Sequence, residues 1–174
     1  MYEQAVVLKE KIESMGMKLV VFQPISQFEG WEKGSPRHGW VRAKAEKWLP
    51  LCAKLGVGYL QLGSNDQPDA TAPFESLCED MHWIAELGSK QQPPVKISYE
   101  PWCFSVRIPS WEGCWEVVQA VNHDSLGLCV DIAHVSSNFD SATSIVSYGN
   151  GLADADTHAL LDVLGSSLPR LRRL

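Results

Sequence analysis

Apolar positions Ala5, Leu8, Ile12 and Met15 recur three or four residues apart, the spacing of one helix face, and Gly16 follows as a stop. The spacing predicts an opening helix. The run KLVVFQPI that follows is β-branched and closed by Pro24, which suits a buried strand better than a helix. SQFEGWEKGSPRHG, rich in Gly, Ser and charge, predicts a long loop after the strand's C-terminal end. Val41, Ala45, Trp48, Cys52 and Leu55 then mark a second helix that Gly56 and Gly58 terminate.

The same unit repeats. GYLQLGS reads as a strand and NDQPDATAP as a loop, and Phe74, Leu77, Met81, Ile84 and Ala85 mark a helix ending near Gly88. VKISYE is a third strand, PWCFSVRIP a loop, and Ser110 the N-cap of a helix carrying Trp111, Cys114, Trp115, Val118 and Val121. LGLCVDI is the fourth strand. Beyond it the pattern weakens, and only Thr157 to Leu164 looks helical again.

Strands alternating with amphipathic helices predict parallel βαβ crossovers, in a doubly wound sheet or a (β/α)8 barrel. No Gly-x-Gly-x-x-Gly or Gly-x-x-x-x-Gly-Lys motif follows a strand, which weakens the nucleotide-binding form of the doubly wound sheet. A whole barrel needs eight strands and typically ~250 residues, more than four strands in 174 residues supply.

Composition narrows the function classes. The chain is 45% apolar, enough for one domain's core, and its net charge of -6 gives no electrostatic reason to approach nucleic acid or an anionic membrane. No run of ~18 apolar residues predicts a membrane span, and MYEQAVVLKEKIESMG carries too many charges for a signal peptide. Cys52, Cys78, Cys103, Cys114 and Cys129 are odd in number and form no Cys-x-x-Cys pair, so they read as reduced core thiols of a cytoplasmic protein.

In both parallel architectures function gathers at the C-terminal ends of the strands. Those ends read Gln23, then Ser64 and Asn65, then Glu100, then Asp131 with His134 just beyond. Glu100 and Asp131 come from neighbouring strands ~4.8 Å apart, so two carboxylates at matching heights could share one cation; capping a turn or meeting a lysine is the structural alternative. Side chains three apart point to opposite faces of a strand, so the strand must end near Asp131 and leave His134 on the loop at the mouth. An imidazole there, with an ordinary pKa near ~6.5, could take a proton or bind a metal, or serve only as a solvated loop residue. His38 falls in the first long loop, and His82, His123 and His158 fall on helices or their ends. Among the seven tryptophans, Trp31, Trp40 and Trp102 lie in or beside strand-end loops, where an indole can stack on a sugar-like ring or pack as core.

With KLVVFQPISQFEGW, YLQLGSND, KISYEPWCFS, WEGCWEVVQAV and LGLCVDIAH in this order, the chain resembles the xylose isomerase-like TIM-barrel superfamily of sugar phosphate isomerases and epimerases, and within it fungal 3-dehydroshikimate dehydratase-type proteins. The resemblance covers residues 1–134 of a single partial-barrel domain, with 135–174 a divergent tail. It implies that Met1 falls in the barrel's second helix and that the chain ends where a seventh strand should begin. It further implies that Glu100 and Asp131 are ligands of a divalent cation, magnesium or manganese rather than zinc, and that His134 is a ligand or the general base. Gln23, Ser64, Asn65 and Trp102 would line the pocket of a small polyhydroxylated or sugar-like substrate. The family's chemistry is proton abstraction next to a carbonyl, leading in the dehydratase to loss of water and protocatechuate. A sugar isomerase or epimerase, a non-catalytic half-barrel forming a homodimer through its open edges, and a complete doubly wound domain are the other readings.

Overall fold

The computed structural model describes residues 2–137; the expected helix over Thr157 to Leu164, and His158, lie outside the described residues. Its elements, in chain order, are α1 (Tyr2–Ser14), β1 (Val21–Ile25), α2 (Pro36–Leu55), β2 (Tyr59–Gly63), α3 (Phe74–Ser89), β3 (Lys96–Glu100), α4 (Trp111–Val121), β4 (Leu126–Leu128) and α5 (Ile132–Ser137).

The four strands form one parallel sheet in the order β1-β2-β3-β4. Neighbours in sequence are neighbours in the sheet throughout, so the winding never reverses. A doubly wound sheet needs such a reversal, whereas a (β/α)8 circuit does not. The architecture is therefore an α/β partial barrel with flanking helices.

Local chemistry explains where the helices start and stop. Ser35 caps α2 by accepting from the backbone N–H of His38, Pro36 occupies the first turn, and Gly56 ends the helix with a left-handed φ of 71°. Ser110 Oγ accepts from the Gly113 N–H in the same way at the start of α4. Helix α2 thus begins earlier than the apolar pattern alone indicates, and His38 sits buried in its first turn instead of in a loop.

The core lies between the sheet and the helices. Leu60 and Leu62 of β2 and Ile97 and Tyr99 of β3 point into it and meet Leu49 and Cys52 of α2, Met81 and Ile84 of α3, and Cys114 and Val117 of α4. With a period of two, the residues between them face the other way, and the register pairs Gln61 with Ser98 and Gly63 with Glu100 on that second face. The second face is the barrel interior and carries the polar groups.

At the β1 side the packing is thinner. Helix α1 has no buried residue and leans on α2 through Tyr2 Oη, which donates to the Lys47 carbonyl at 3.3 Å. Val7, Leu8, Met15, Met17, Val20 and Val21 are exposed there. Among the described residues no helix is long and apolar enough to cross a membrane, and all five cysteines are free thiols.

Candidate metal centre

Glu100 ends β3 on the interior face, buried, and its two carboxylate oxygens have different surroundings. Oε2 accepts from the side-chain amide of Gln61 on the neighbouring strand and from the indole N–H of Trp102 at 2.7 Å. Oε1 accepts, among the described residues, only the long contact of the Cys129 thiol, at 3.9 Å. Burial first, and then the Glu100 and Asp131 carboxylates, push that thiol up to about 11, so it stays neutral at ordinary pH. One oxygen is thus held by donors while the other keeps its lone pairs.

Trp102 reaches Glu100 because its backbone N–H donates to Ser64 Oγ at 2.9 Å and its indole lies against Gly63. A Cβ on Gly63 would overlap the six-membered ring, so only glycine at that position admits the indole.

Asp131 does not stand level with Glu100, contrary to the expectation of matching heights. The register sets Tyr99 beside Leu128, and the Cys129 N–H donates to the Tyr99 carbonyl at 2.7 Å, so Cys129 is the residue beside Glu100. Strand β4 ends at Leu128, and Asp131 lies three residues further along, where its Oδ1 accepts from the Ala133 N–H at 2.8 Å. That bond starts α5, so His134 is carried on a short helix instead of the expected loop. The histidine's Nδ1 lies 3.3 Å from Cys103 Sγ and 3.5 Å from the Cys103 backbone nitrogen.

By side-chain reach instead of equal height, Glu100, Asp131 and His134 bring one ligand atom each to within 4.8 Å of one another. This is an acidic cluster able to hold a metal ion. The donor set, two carboxylates and an imidazole, suits magnesium, manganese or zinc. Asp131 Oδ2 carries none of the hydrogen bonds just described and Glu100 Oε1 only the long contact of the Cys129 thiol at 3.9 Å, which leaves both the open lone pairs a cation requires.

The other residues picked out by sequence fall in two groups. Ser64 and Asn65 are buried at the end of β2 with their polar atoms engaged inside the protein. Ser64 receives Trp102, and the Asn65 N–H donates to Glu29 Oε1 at 2.7 Å while its side-chain amide donates to the Glu29 carbonyl at 2.6 Å. Gln23 lies mid-strand because β1 runs on to Ile25, and its side chain is exposed two strands away from Glu100.

Three residues of the site region were not legible as such. Gln61 holds Glu100 and could have been found from its alternation with Leu60 and Leu62. Phe104 stands exposed beside Trp102 and His134. Glu29, in the β1 to α2 loop, is 1% exposed, and Oε1 also accepts from Tyr99 Oη at 2.9 Å while Oε2 has no partner among the described residues. Burial raises its pKa from 4.5 to about 7 against the opposing effect of those hydrogen bonds. A glutamate in a Gly- and Ser-rich stretch carries no sequence signal of burial. Nearby, His38 Nε2 and an Arg42 guanidinium nitrogen each lie 2.9 Å from Asp80 Oδ1, a buried polar link between α2 and α3.

Comparison with known proteins places the chain and its fold. The family described as "Xylose isomerase-like TIM barrel" matches residues 1–161. A 3-dehydroshikimate dehydratase of Neurospora crassa is 26% identical over 125 residues, which is 71% of this chain and 34% of that protein. The chain thus spans about a third of the length of that curated relative. Among solved structures, a xylose isomerase-like TIM barrel/4-hydroxyphenylpyruvate dioxygenase fusion protein superposes with a TM-score of 0.68 at 25% identity, covering 76% of this chain and 20% of that one. The IolI protein, whose crystal structure holds a zinc atom, shares the fold with a TM-score of 0.55 at 22% identity, covering 80% and 50% respectively.

Proposed function

The chain belongs to the xylose isomerase-like TIM barrel family, and from that premise we propose that Glu100 and Asp131 hold a divalent cation, magnesium or manganese rather than zinc, with His134 beside it as the general base, next to a small polyhydroxylated cyclic substrate. The reaction is that of a 3-dehydroshikimate dehydratase: removal of a proton next to a carbonyl, then loss of water to give protocatechuate. The observation that carries this reading is the approach of three ligand atoms to within 4.8 Å at the C-terminal ends of adjacent parallel strands. The curated relative's activity supports the choice of substrate.

Each residue has a physical part in this reading. Glu100 offers Oε1 because Gln61 and Trp102 occupy Oε2 and fix the carboxylate plane. Asp131 offers Oδ2 because Oδ1 is committed to the Ala133 N–H. A bound divalent cation would stabilise the enolate oxygen. His134 removes the proton through Nε2 when its Nδ1 carries the ring proton and donates it towards Cys103 Sγ; the opposite tautomer makes Nδ1 the acceptor of the Cys103 N–H. Trp102 forms the wall beside the cation, and Ser64 and Asn65 brace that wall from behind. Glu100 and Asp131 alone would leave a hard cation mostly to water, so we expect weak affinity and slow turnover.

The test is calorimetric titration with Mn²⁺, followed by incubation with 3-dehydroshikimate while product absorbance is recorded. Saturable Mn²⁺ binding with rising protocatechuate absorbance supports the reading. No Mn²⁺ binding and no product would remove it.

A second reading, a non-catalytic half-barrel that pairs with another copy, is favoured by the exposed apolar residues on α1 and ahead of β1, Val20 being 64% exposed. Sedimentation giving a dimer would support it, and a monomer at all concentrations would oppose it.

A further inference from the structure

Phe104 is a large apolar side chain left 53% exposed, yet its position is tightly determined. Residues 102–105 form a β-turn closed by the Ser105 N–H donating to the Trp102 carbonyl at 2.7 Å, with Cys103 and Phe104 at its centre. Both arms of the turn are fastened to the end of β2. On one side the Trp102 N–H donates to Ser64 Oγ at 2.9 Å; on the other Ser105 Oγ donates to the Asn65 carbonyl at 2.7 Å. Ser105 Oγ also receives the Ile108 N–H at 3.4 Å.

The ring is also placed against its neighbours. Its centroid is 5.2 Å from that of Trp102, tilted by 36°, and 5.6 Å from the His134 ring, nearly edge-on at 71°. Trp102 in turn donates to Glu100, and His134 is one of the three clustered groups. An aromatic wall therefore runs from one side of the candidate metal centre to the other, with Phe104 in its middle and one face open to solvent. Hydrogen bonds fixed in advance mean that little conformational freedom is lost when something covers that face.

We infer that Phe104 is a specificity-determining residue that selects a cyclic substrate over an open-chain one; the inference rests on the function proposed above. A carbocyclic ring held with its carbonyl at Glu100, Asp131 and His134 lays its C–H face on the phenyl ring. An open-chain keto sugar has no flat apolar face to offer and leaves the phenyl ring in water.

The probes are 3-dehydroshikimate and erythrulose, a four-carbon keto sugar that stays open-chain, titrated calorimetrically in the presence of Mn²⁺. Wild type is compared with Phe104→Ala and Phe104→Leu, the second keeping apolar bulk without a ring. The expected result is that both variants bind 3-dehydroshikimate about three- to tenfold more weakly, within the range an aromatic contact is worth, with erythrulose and Mn²⁺ affinities within about twofold of wild type. Leucine that binds 3-dehydroshikimate as well as phenylalanine does would overturn the aromatic role. Loss of Mn²⁺ binding in both variants would show a structural role and also overturn it. A wild-type protein that binds Mn²⁺ and neither probe removes the proposed function and this inference with it. A wild type that prefers 3-dehydroshikimate while both variants keep that preference removes the inference alone.

Discussion

Replacing Glu29 with glutamine should stabilise the protein above neutral pH and do little below pH 4.5. The carboxyl is 1% exposed, and its pKa rises from 4.5 to about 7, chiefly because burial penalises the charged form. The folded protein therefore holds this proton more tightly than the unfolded chain does. Between pH 4.5 and about 7 the folded state binds more protons, so its stability falls as pH rises, and above about 7 the loss is complete. A displacement from 4.5 to about 7, at about 1.4 kcal/mol per pH unit, corresponds to on the order of 3 kcal/mol. That is a large fraction of the ~5–15 kcal/mol that holds an ordinary domain together.

Glutamine keeps the acceptor that receives the Asn65 N–H and Tyr99 Oη, and it places an unpaired amide where Oε2 now has no partner. The cost of that unpaired donor, about 1–3 kcal/mol, resembles that of the unpaired hydroxyl of protonated Glu29, so the two proteins should be close in stability at pH 4.5. Urea unfolding of both proteins from pH 4.5 to 8 isolates the effect, because every other titrating group cancels in the difference. The difference should grow with pH in favour of Glu29→Gln and level off near pH 8. A difference that stays constant across this range would show that Glu29 titrates no higher in the folded protein than in the unfolded chain and refute the reasoning.

Gly63→Ala places a methyl group where the Trp102 indole lies and should cost about 1–3 kcal/mol, with tryptophan emission shifting to the red as Trp102 leaves Glu100. Asp131→Asn keeps the oxygen that receives the Ala133 N–H and removes ligand charge, so calorimetry should show Mn²⁺ affinity falling by at least about tenfold with the thermal midpoint of the metal-free protein nearly unchanged. Leu62→Ala opens a cavity in a fully buried layer and should cost about 3 kcal/mol in urea unfolding.

The fold was legible because its elements obey short-range rules. Apolar spacing found α2, α3 and α4, and Ser110 and Gly56 acted as the caps their chemistry suggests. The register was less legible. Equal heights for Glu100 and Asp131 assumed a strand through LCVDI, but the ladder stops at Leu128, because Asp131 bonds to the Ala133 N–H and turns the chain into α5. A local side-chain to backbone bond won over strand extension, which is the competition that makes aspartate a poor strand residue. Gln23 was misplaced by a similar step: Pro24 suggested an end, yet at the outer strand of this sheet a missing N–H is tolerated and β1 continues to Ile25. Glu29 was beyond reach for a different reason, since its burial depends on Asn65 and Tyr99, 36 and 70 residues away.

The placement of these residues divides the labour between neighbouring strands. Strand β3 and the segment after β4 supply the groups with open lone pairs, Glu100 and Asp131, while β2 and the two residues that follow it supply the supports of Glu100 and of the turn beside it. Gln61 fixes one oxygen of Glu100, Gly63 leaves room for the indole that fixes it again, and Ser64 and Asn65 hold both arms of the turn that presents Phe104. None of the β2 residues needs to touch a ligand for the site to depend on it. A carboxylate restrained on one side has less freedom to lose when a cation arrives on the other, so substitutions in β2 should alter metal affinity and ring preference without removing a single candidate ligand.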